Sequence, residues 1–379
     1  MIYFDNAATS LPKPPSVGLA MLKALDSFGG AGRGGHPAAL EASRSVFQAR
    51  KAVANLLGSA PERTVFTANA TESLNLAIQG LLSPSDHVIT TVFEHNSVLR
   101  PLYRLRARGM GLSIVDADTD GGLDYNGFRR SLRPHTKAVL CTHASNLTGT
   151  LIDLNLVSAF CKEYGLLLIV DAAQTAGAFP LDADKVGIDV LCFTGHKGLM
   201  GPQGTGGICI RQGLSIAPQK VGGSGLDSFS ETHPNHLPES LEAGTLNAHG
   251  LAGLLAGVEY IETMGITAIS ERETALARQF REAVGAIPRL RIFGNQDQNQ
   301  MPIVALNIGN LGSYMVGDLL ASQYDICVRS GTHCAPLAHI ALGTPAQGMV
   351  RFSFSSFNTP DEIQAGIDAL ADIACRYKG

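Results

Sequence analysis

From residue 65 to 210 the chain alternates between two patterns, and this alternation rules out most architectures. Short runs rich in Val, Ile and Leu occur at 65–67, 88–92, 112–115, 138–142, 166–170, 190–193 and 207–210. Stretches with apolar residues at helical spacing lie between several of them, at 71–82, 97–108, 123–132 and 154–164. Strands of this composition alternating with helices predict an α/β fold, with a mainly parallel sheet of about seven strands covered on both faces. Such sheets bind ligands outside the carboxyl ends of their strands. Thr71, His95, Asn146, Asp171 and Lys197 all fall at those ends, and five polar residues so placed point to one shared site.

The rest of the chain frames this sheet. With 379 residues it is too long for one simple core, which predicts one large domain and one smaller one. Residues 1–15 read as an extended arm near the active site, with prolines at 12, 14 and 15, and the glycines at 29–35 as a loop. A helix is expected over 39–57, stopped by Gly58. The large domain is set at 16–260 and includes a long surface loop at 218–242, rich in Gly, Pro, Ser and His. A helical stretch at 251–264 leads to a smaller α+β domain at 261–379. Its expected helices are 269–284, 315–323 and 360–375, and its strands 290–293, 304–308, 326–329 and 350–354.

Composition narrows the function. An apolar fraction of 45% and a charged fraction of 16% exclude widespread disorder. A net charge of −4 without a basic run argues against nucleic acid as a partner. No apolar run is long enough to span a membrane, and the first residues lack the basic and apolar segments of a secretion signal. Seven cysteines, an odd count without a CxxC pair, predict reduced thiols and a cytoplasmic protein. No metal site is expected.

The strand at 166–170 ends in Asp171, and the strand at 190–193 ends in the turn Thr194-Gly195-His196-Lys197. Taken alone, Lys197 reads as a solvated loop lysine. An acid and a lysine on successive strand ends are also what pyridoxal phosphate needs. The lysine forms the Schiff base, and the acid keeps the pyridine nitrogen protonated so that the ring accepts electrons. The turn Ala68-Asn69-Ala70-Thr71-Glu72 offers small residues and a helix N-terminus to an anion, with an ordinary helix cap as its plainer reading. His95 is placed to face a flat ring and move protons there, while Asn146 and Gln174 are placed to meet a ring hydroxyl.

Six segments then stand in register: Thr71-Glu72, Glu94-His95-Asn96-Ser97, Ser145-Asn146-Leu147-Thr148-Gly149, Val170-Asp171-Ala172-Ala173-Gln174, Thr194-Gly195-His196-Lys197 and Glu242-Ala243-Gly244-Thr245. Together with Tyr3-Phe4-Asp5-Asn6-Ala7-Ala8-Thr9, they resemble the class V aminotransferase-like, fold-type I pyridoxal phosphate enzymes. More narrowly, the chain resembles the cysteine desulfurase/selenocysteine lyase family from residue 3 to about 372. The resemblance implies that Lys197 carries the cofactor and serves as acid and base at the substrate carbons. Asp171 would pair with the ring nitrogen, Gln174 with the ring hydroxyl and His95 with the ring face. Thr71, Thr194 and His196 would hold the phosphate. Gly244 and Thr245 would reach it from a neighbouring subunit, which implies a homodimer with shared sites.

Arg329-Ser330-Gly331-Thr332-His333-Cys334-Ala335 resembles the segment that carries the desulfurase cysteine. The implied reaction converts L-cysteine to L-alanine and leaves a persulfide on Cys334 for an acceptor protein. Cys334 would ride on a mobile, partly exposed loop, with His333 and Arg329 helping to form the thiolate. Arg351, set in an apolar strand where a lone charge is costly, is the expected anchor for the substrate carboxylate; a pairing with a structural acid is the alternative. Asn6, Ala7, Arg33 and His36 are expected near the entrance. The loop from Gly222 to Leu226 and the run Ala335-Pro336-Leu337-Ala338-His339 depart from the commonest pattern, marking a divergent branch. The alternatives are a lyase acting on L-selenocysteine, another β-eliminating enzyme, or an aminotransferase of the same fold.

Overall fold

The computed structural model describes residues 1–32, 34–117, 121–225, 228–294 and 300–377. Its strands in chain order are β1 (Ile2–Tyr3), β2 (Thr64–Thr67), β3 (His87–Thr91), β4 (Gly111–Val115), β5 (Thr136–Thr142), β6 (Leu167–Asp171), β7 (Val190–Thr194), β8 (Gly206–Ile210), β9 (Leu290–Phe293), β10 (Ile303–Ile308), β11 (Ile326–Cys327), β12 (Arg329–Gly331) and β13 (Met349–Ser353). A seven-stranded sheet has the order β2-β8-β7-β6-β5-β3-β4. Only β8 runs against the others, antiparallel to both β2 and β7. The sequence pattern therefore located all seven strands, and their central members are buried along their length because helices cover both faces.

Helix starts at the sheet's carboxyl edge are fixed by side-chain caps. Asn69 accepts a hydrogen bond from Glu72 N (3.0 Å) and opens the helix Ala70–Leu81. His95 accepts from Ser97 N (3.0 Å) through Nδ1 and opens Asn96–Arg106. Asp153 caps Leu154–Tyr164, which Gly165 ends in the left-handed region.

Beyond the long loop, β12-β13-β10-β9 form a second, antiparallel sheet, and β1 pairs in parallel with β11. The N-terminal arm is stitched into this region. Phe4 is fully buried, its ring 6.5, 6.0 and 5.1 Å from those of Phe280, Phe352 and Phe354. Asp5 bridges to Ser353 at the end of β13.

Two local readings change. The expected strand over 326–329 is two strands. Ile326 and Cys327 pair with the arm, whereas Arg329 to Gly331 pair with Arg351 to Met349. Residues Pro15–Ser27 form a helix that the sequence reading did not anticipate. The prolines that suggested an arm include Pro15, which occupies the first helical position, where its missing N–H costs nothing. Leu19, Leu22 and Leu25 lie exposed, so the apolar period does not mark the buried face. No single described helix is long and apolar enough to cross a membrane.

Candidate active site

The carboxyl ends of the parallel strands surround a cavity of about 230 Å³. Its lining includes Thr71, His95, Asn146, Asp171, Gln174, Thr194, His196, Lys197, Arg329 and Arg351. The polar residues predicted at the strand ends thus converge in one place. Two chain crossings shape its floor. A β-carbon on Gly198 would lie 2.6 Å from Ala176 O, so only glycine lets the lysine turn pack this closely on the segment after Asp171. Thr205 fills the corresponding space beside Gly195.

Lys197 projects into the cavity from the turn after β7. Desolvation pulls its ammonium down to about 8, Arg351 adds to the effect, and Asp171 opposes it. Asp171 is buried at the end of β6, and its Oδ1 accepts from Ala173 N (2.9 Å). Burial raises its carboxyl pKa, against the pull of that N–H and of Lys197. Burial also holds His95 down to about 4, with Lys197 next in effect, so its imidazole is neutral. Because Nδ1 accepts from Ser97 N, the ring proton resides on Nε2.

The anion side follows the same logic. Asn69 performs the capping, which leaves the Thr71 hydroxyl free of that duty; it meets Ser97 Oγ at 2.7 Å. Thr194 Oγ1, His196 Nδ1 and Asn146 Oδ1 are buried and have no hydrogen-bond partner among the described residues. Gln174 Nε2 donates to Ala7 O (3.2 Å). Gly244 and Thr245 are not in this cavity. Thr245 lines a separate groove with Glu72, Asn75 and Lys220. Glu242 fixes that segment from within: both its carboxylate oxygens accept from Arg50 (2.6 and 2.9 Å), and Oε1 also accepts from Phe66 N (2.6 Å).

Arg351 is buried on β13. It donates to Asn146 O and to Asp5 Oδ1, both at 2.8 Å, while its Nε lacks a partner among the described residues. The acid that shares its charge is therefore Asp5 of the arm, and Arg329 lies directly opposite on β12. Asn6 Nδ2 donates to Ser353 O (3.0 Å), which ties the arm to the same strand. Arg33 lies outside the described residues.

Cys334 is exposed, and so is Cys375 near the C-terminal end. Geometry separates the two. His333 and Cys334 both adopt positive φ (51° and 56°), an arrangement that costs energy in two successive non-glycine residues. Their carbonyls are held by groups at the cavity: Asn146 Nδ2 donates to His333 O and Asn96 N to Cys334 O, each at 2.8 Å. These bonds dock the segment, and the helix Pro336–Ala341 follows directly after it. His333 gives the thiol no cationic help, contrary to expectation. Its ring is buried, bonds Arg329 O through Nε2 (3.2 Å) and lies 6.1 Å from the ring of His339. Burial, and then Arg351, lower it to about 3, so it carries no positive charge.

The sequence reading gave no role to Glu94, Ser97 or Lys13. Glu94 Oε1 accepts from Thr91 Oγ1 (2.6 Å) and Thr142 N (3.0 Å), clamping β3 to β5 beneath the cavity. Its signal was present as a charged residue next to His95 at the end of an apolar run.

Residues 2–365 match the aminotransferase class-V family. A probable cysteine desulfurase of Methanothermobacter thermautotrophicus is 34% identical, covering 98% of this chain and 94% of that one. A cysteine desulfurase of Klebsiella pneumoniae is 32% identical, covering 98% and 93%. Among solved structures, the apo cysteine desulfurase of Thermococcus onnurineus aligns with a TM-score of 0.93 at 33% identity, covering 99% of this chain and 95% of that one. The cysteine desulfurase CsdA of Escherichia coli aligns at 0.88 and 30%, covering 98% and 94%. With its strand-end lysine and acid in one cavity and a match over nearly its whole length, the chain belongs to the aminotransferase class-V family, in the cysteine desulfurase branch of these pyridoxal phosphate enzymes.

Proposed function

We propose that this chain takes sulfur from L-cysteine, releases L-alanine and holds the sulfur on Cys334. The observation that carries this reading is the docking of an exposed cysteine against Asn96 and Asn146, at the rim of the cavity that holds Lys197. The cavity suits pyridoxal phosphate. Thr194, His196 and Asn146 each bring a buried polar atom that lacks a partner among the described residues, and the Asp171 carboxyl faces the same space.

Thr71, Thr194 and His196 would hold the phosphate, Asp171 the ring nitrogen, Gln174 and Asn146 the ring hydroxyl, and His95 the ring face. When bound, the cofactor supplies an electron sink for the pair released at the substrate α-carbon. The neutral Lys197 amine, its pKa drawn down to about 8, takes the α-proton, and the ammonium so formed returns one to the product. Arg351 anchors the substrate carboxylate through its unpartnered Nε, while Asp5 and Asn146 fix the plane of its guanidinium. Arg329, opposite it, adds positive potential at the mouth.

The Cys334 thiolate attacks the substrate sulfur. The S–S bond forms as the carbon–sulfur bond breaks, the carbon takes up a proton, and L-cysteine plus the Cys334 thiol become L-alanine plus the Cys334 persulfide. A protein thiol then accepts the outer sulfur. Gly244 and Thr245 serve the phosphate of a second copy, which makes the unit a homodimer. In this reading the chain divides into an arm (1–15), a cofactor domain (16–260) and a smaller domain (261–379), and it works in the cytoplasm, where a nucleophilic thiol stays reduced.

Incubation with L-cysteine tests the proposal, with alanine quantified and Cys334 examined by mass spectrometry for one added sulfur. Cys334→Ala should bind the cofactor normally and lose alanine production by roughly a hundredfold or more. Alanine formation at the wild-type rate in that variant would sink the persulfide route.

A further inference from the structure

Lys13 is an unexplained cation. It lies just before the helix Pro15–Ser27, is half-buried, and burial alone pulls its ammonium down to about 8, with no acidic neighbour among the described residues to offset the cost. Its hydrogens go elsewhere. Lys13 Nζ donates to His196 O at 2.8 Å and to Ser10 Oγ at 2.6 Å. Ser10 Oγ in turn donates to Lys197 O at 2.9 Å. Thr9 Oγ1 and Ser10 N also donate to His196 O, each at 3.1 Å. Both carbonyls that flank the Lys197 side chain are thus held by the arm, one by the ammonium directly and the other through a serine that the ammonium polarises.

We infer that Lys13 is a positioning residue for the Lys197 turn, acting through Ser10 and the His196 carbonyl to fix the direction in which the Lys197 amine meets the cofactor. A lysine side chain has four rotatable bonds, so its amine is only as well placed as the backbone it hangs from. On one side the turn rests against Ala176 O, where Gly198 admits no side chain. The arm holds it from the other side. A charged clamp is stronger than a neutral one, which accounts for spending a desolvated ammonium where an amide would reach. His196, the proposed phosphate ligand, hangs from the same clamped segment, so one cation fixes two contacts to the cofactor.

The inference rests on the pyridoxal phosphate reading, and the two fail separately. The full chain loaded with pyridoxal phosphate is compared with Lys13→Met, Lys13→Arg, Ser10→Ala and, as a control, Lys23→Met, whose side chain is largely exposed on the next helix. The readouts are the induced circular dichroism of the bound cofactor, which reports its fixed orientation, and the rate at which it is released. Lys13→Met should lose about half or more of the dichroism per bound cofactor and release it roughly tenfold faster. Lys13→Arg should recover most of both, and Lys23→Met should change neither. Wild-type dichroism and release in Lys13→Met overturn the inference. If that variant does not fold, Ser10→Ala decides: a smaller shift in the same direction supports the clamp, and none overturns it. A wild-type chain that develops no visible absorbance with pyridoxal phosphate overturns the cofactor reading, and the clamp with it.

Discussion

Lys197 sets the first expectation at the scale of single residues. Its amine loses a proton near pH 8, and only the neutral amine attacks an aldehyde. Recombination of the cofactor-free protein with pyridoxal phosphate should therefore accelerate about tenfold per pH unit below 8 and level off above it. A rate independent of pH across that range contradicts a desolvated lysine. Asp171 was legible in the sequence as the polar residue that ends a buried strand, and Lys197, in the turn after the next strand, only in combination with it and the other strand-end groups. Arg351 was legible for the opposite reason, as a charge inside an apolar run. Its partner was not, because Asp5 is 346 residues away and nothing local links an arm to a late strand. Nor did the order Thr332-His333-Cys334 say whether His333 faces water or the core; neighbours from β12 and the following helix decide that it is buried and neutral.

At the scale of elements, two ion pairs built on buried arginines fasten the arm and a loop end to the sheets. Arg351–Asp5 fastens the arm to β13, and Arg50–Glu242 fastens the exit of the long loop beside β2. Removing one member of such a pair leaves the other charge stranded. Asp5→Asn and Glu242→Gln should each lower stability by roughly 3 kcal/mol in urea titrations. They should differ in function. Asp5→Asn should raise KM for L-cysteine because the guanidinium plane is freed, whereas Glu242→Gln should weaken cofactor retention because Gly244 and Thr245 lose their anchor. Identical kinetics in the two variants would count against these assignments. Helix and strand periods found the central elements to within a few residues, since burial on both faces enforces them. They failed at Pro15–Ser27, whose outer leucines blur the period, and at the strand over 326–329, which tertiary pairing divides between two sheets.

Across the whole molecule, burial or partial burial shifts several titrating groups. His87, His95, His143 and His196 are depressed to about 4 and His333 to about 3, each first by burial. The unfolded chain protonates such groups near pH 6.5, so the stability they confer is present above that value and lost as pH falls through about 4. Glu94 and Glu273 are raised to about 8 by burial and have the opposite slope, losing stability as pH rises from about 4.5 to 8. Below pH 8 the cofactor-free protein should be most stable between about pH 6 and 7, and Glu273→Gln should flatten the alkaline side in urea titrations across that range. Sharing of sites between copies has its own test. Lys197→Ala and Thr245→Ala, each impaired alone, should form hybrid dimers with one intact site of two and regain about half of wild-type activity; hybrids without recovery would place Thr245 outside its partner's site. The docked cysteine has a further consequence at this scale. The carbonyls of His333 and Cys334 are bonded to Asn146 and Asn96, which sets the Cys334 sulfur beside the cavity rim. With Cys334 holding the sulfur as proposed, handover should depend on the reach and abundance of the acceptor, and sulfur flux should follow encounter frequency.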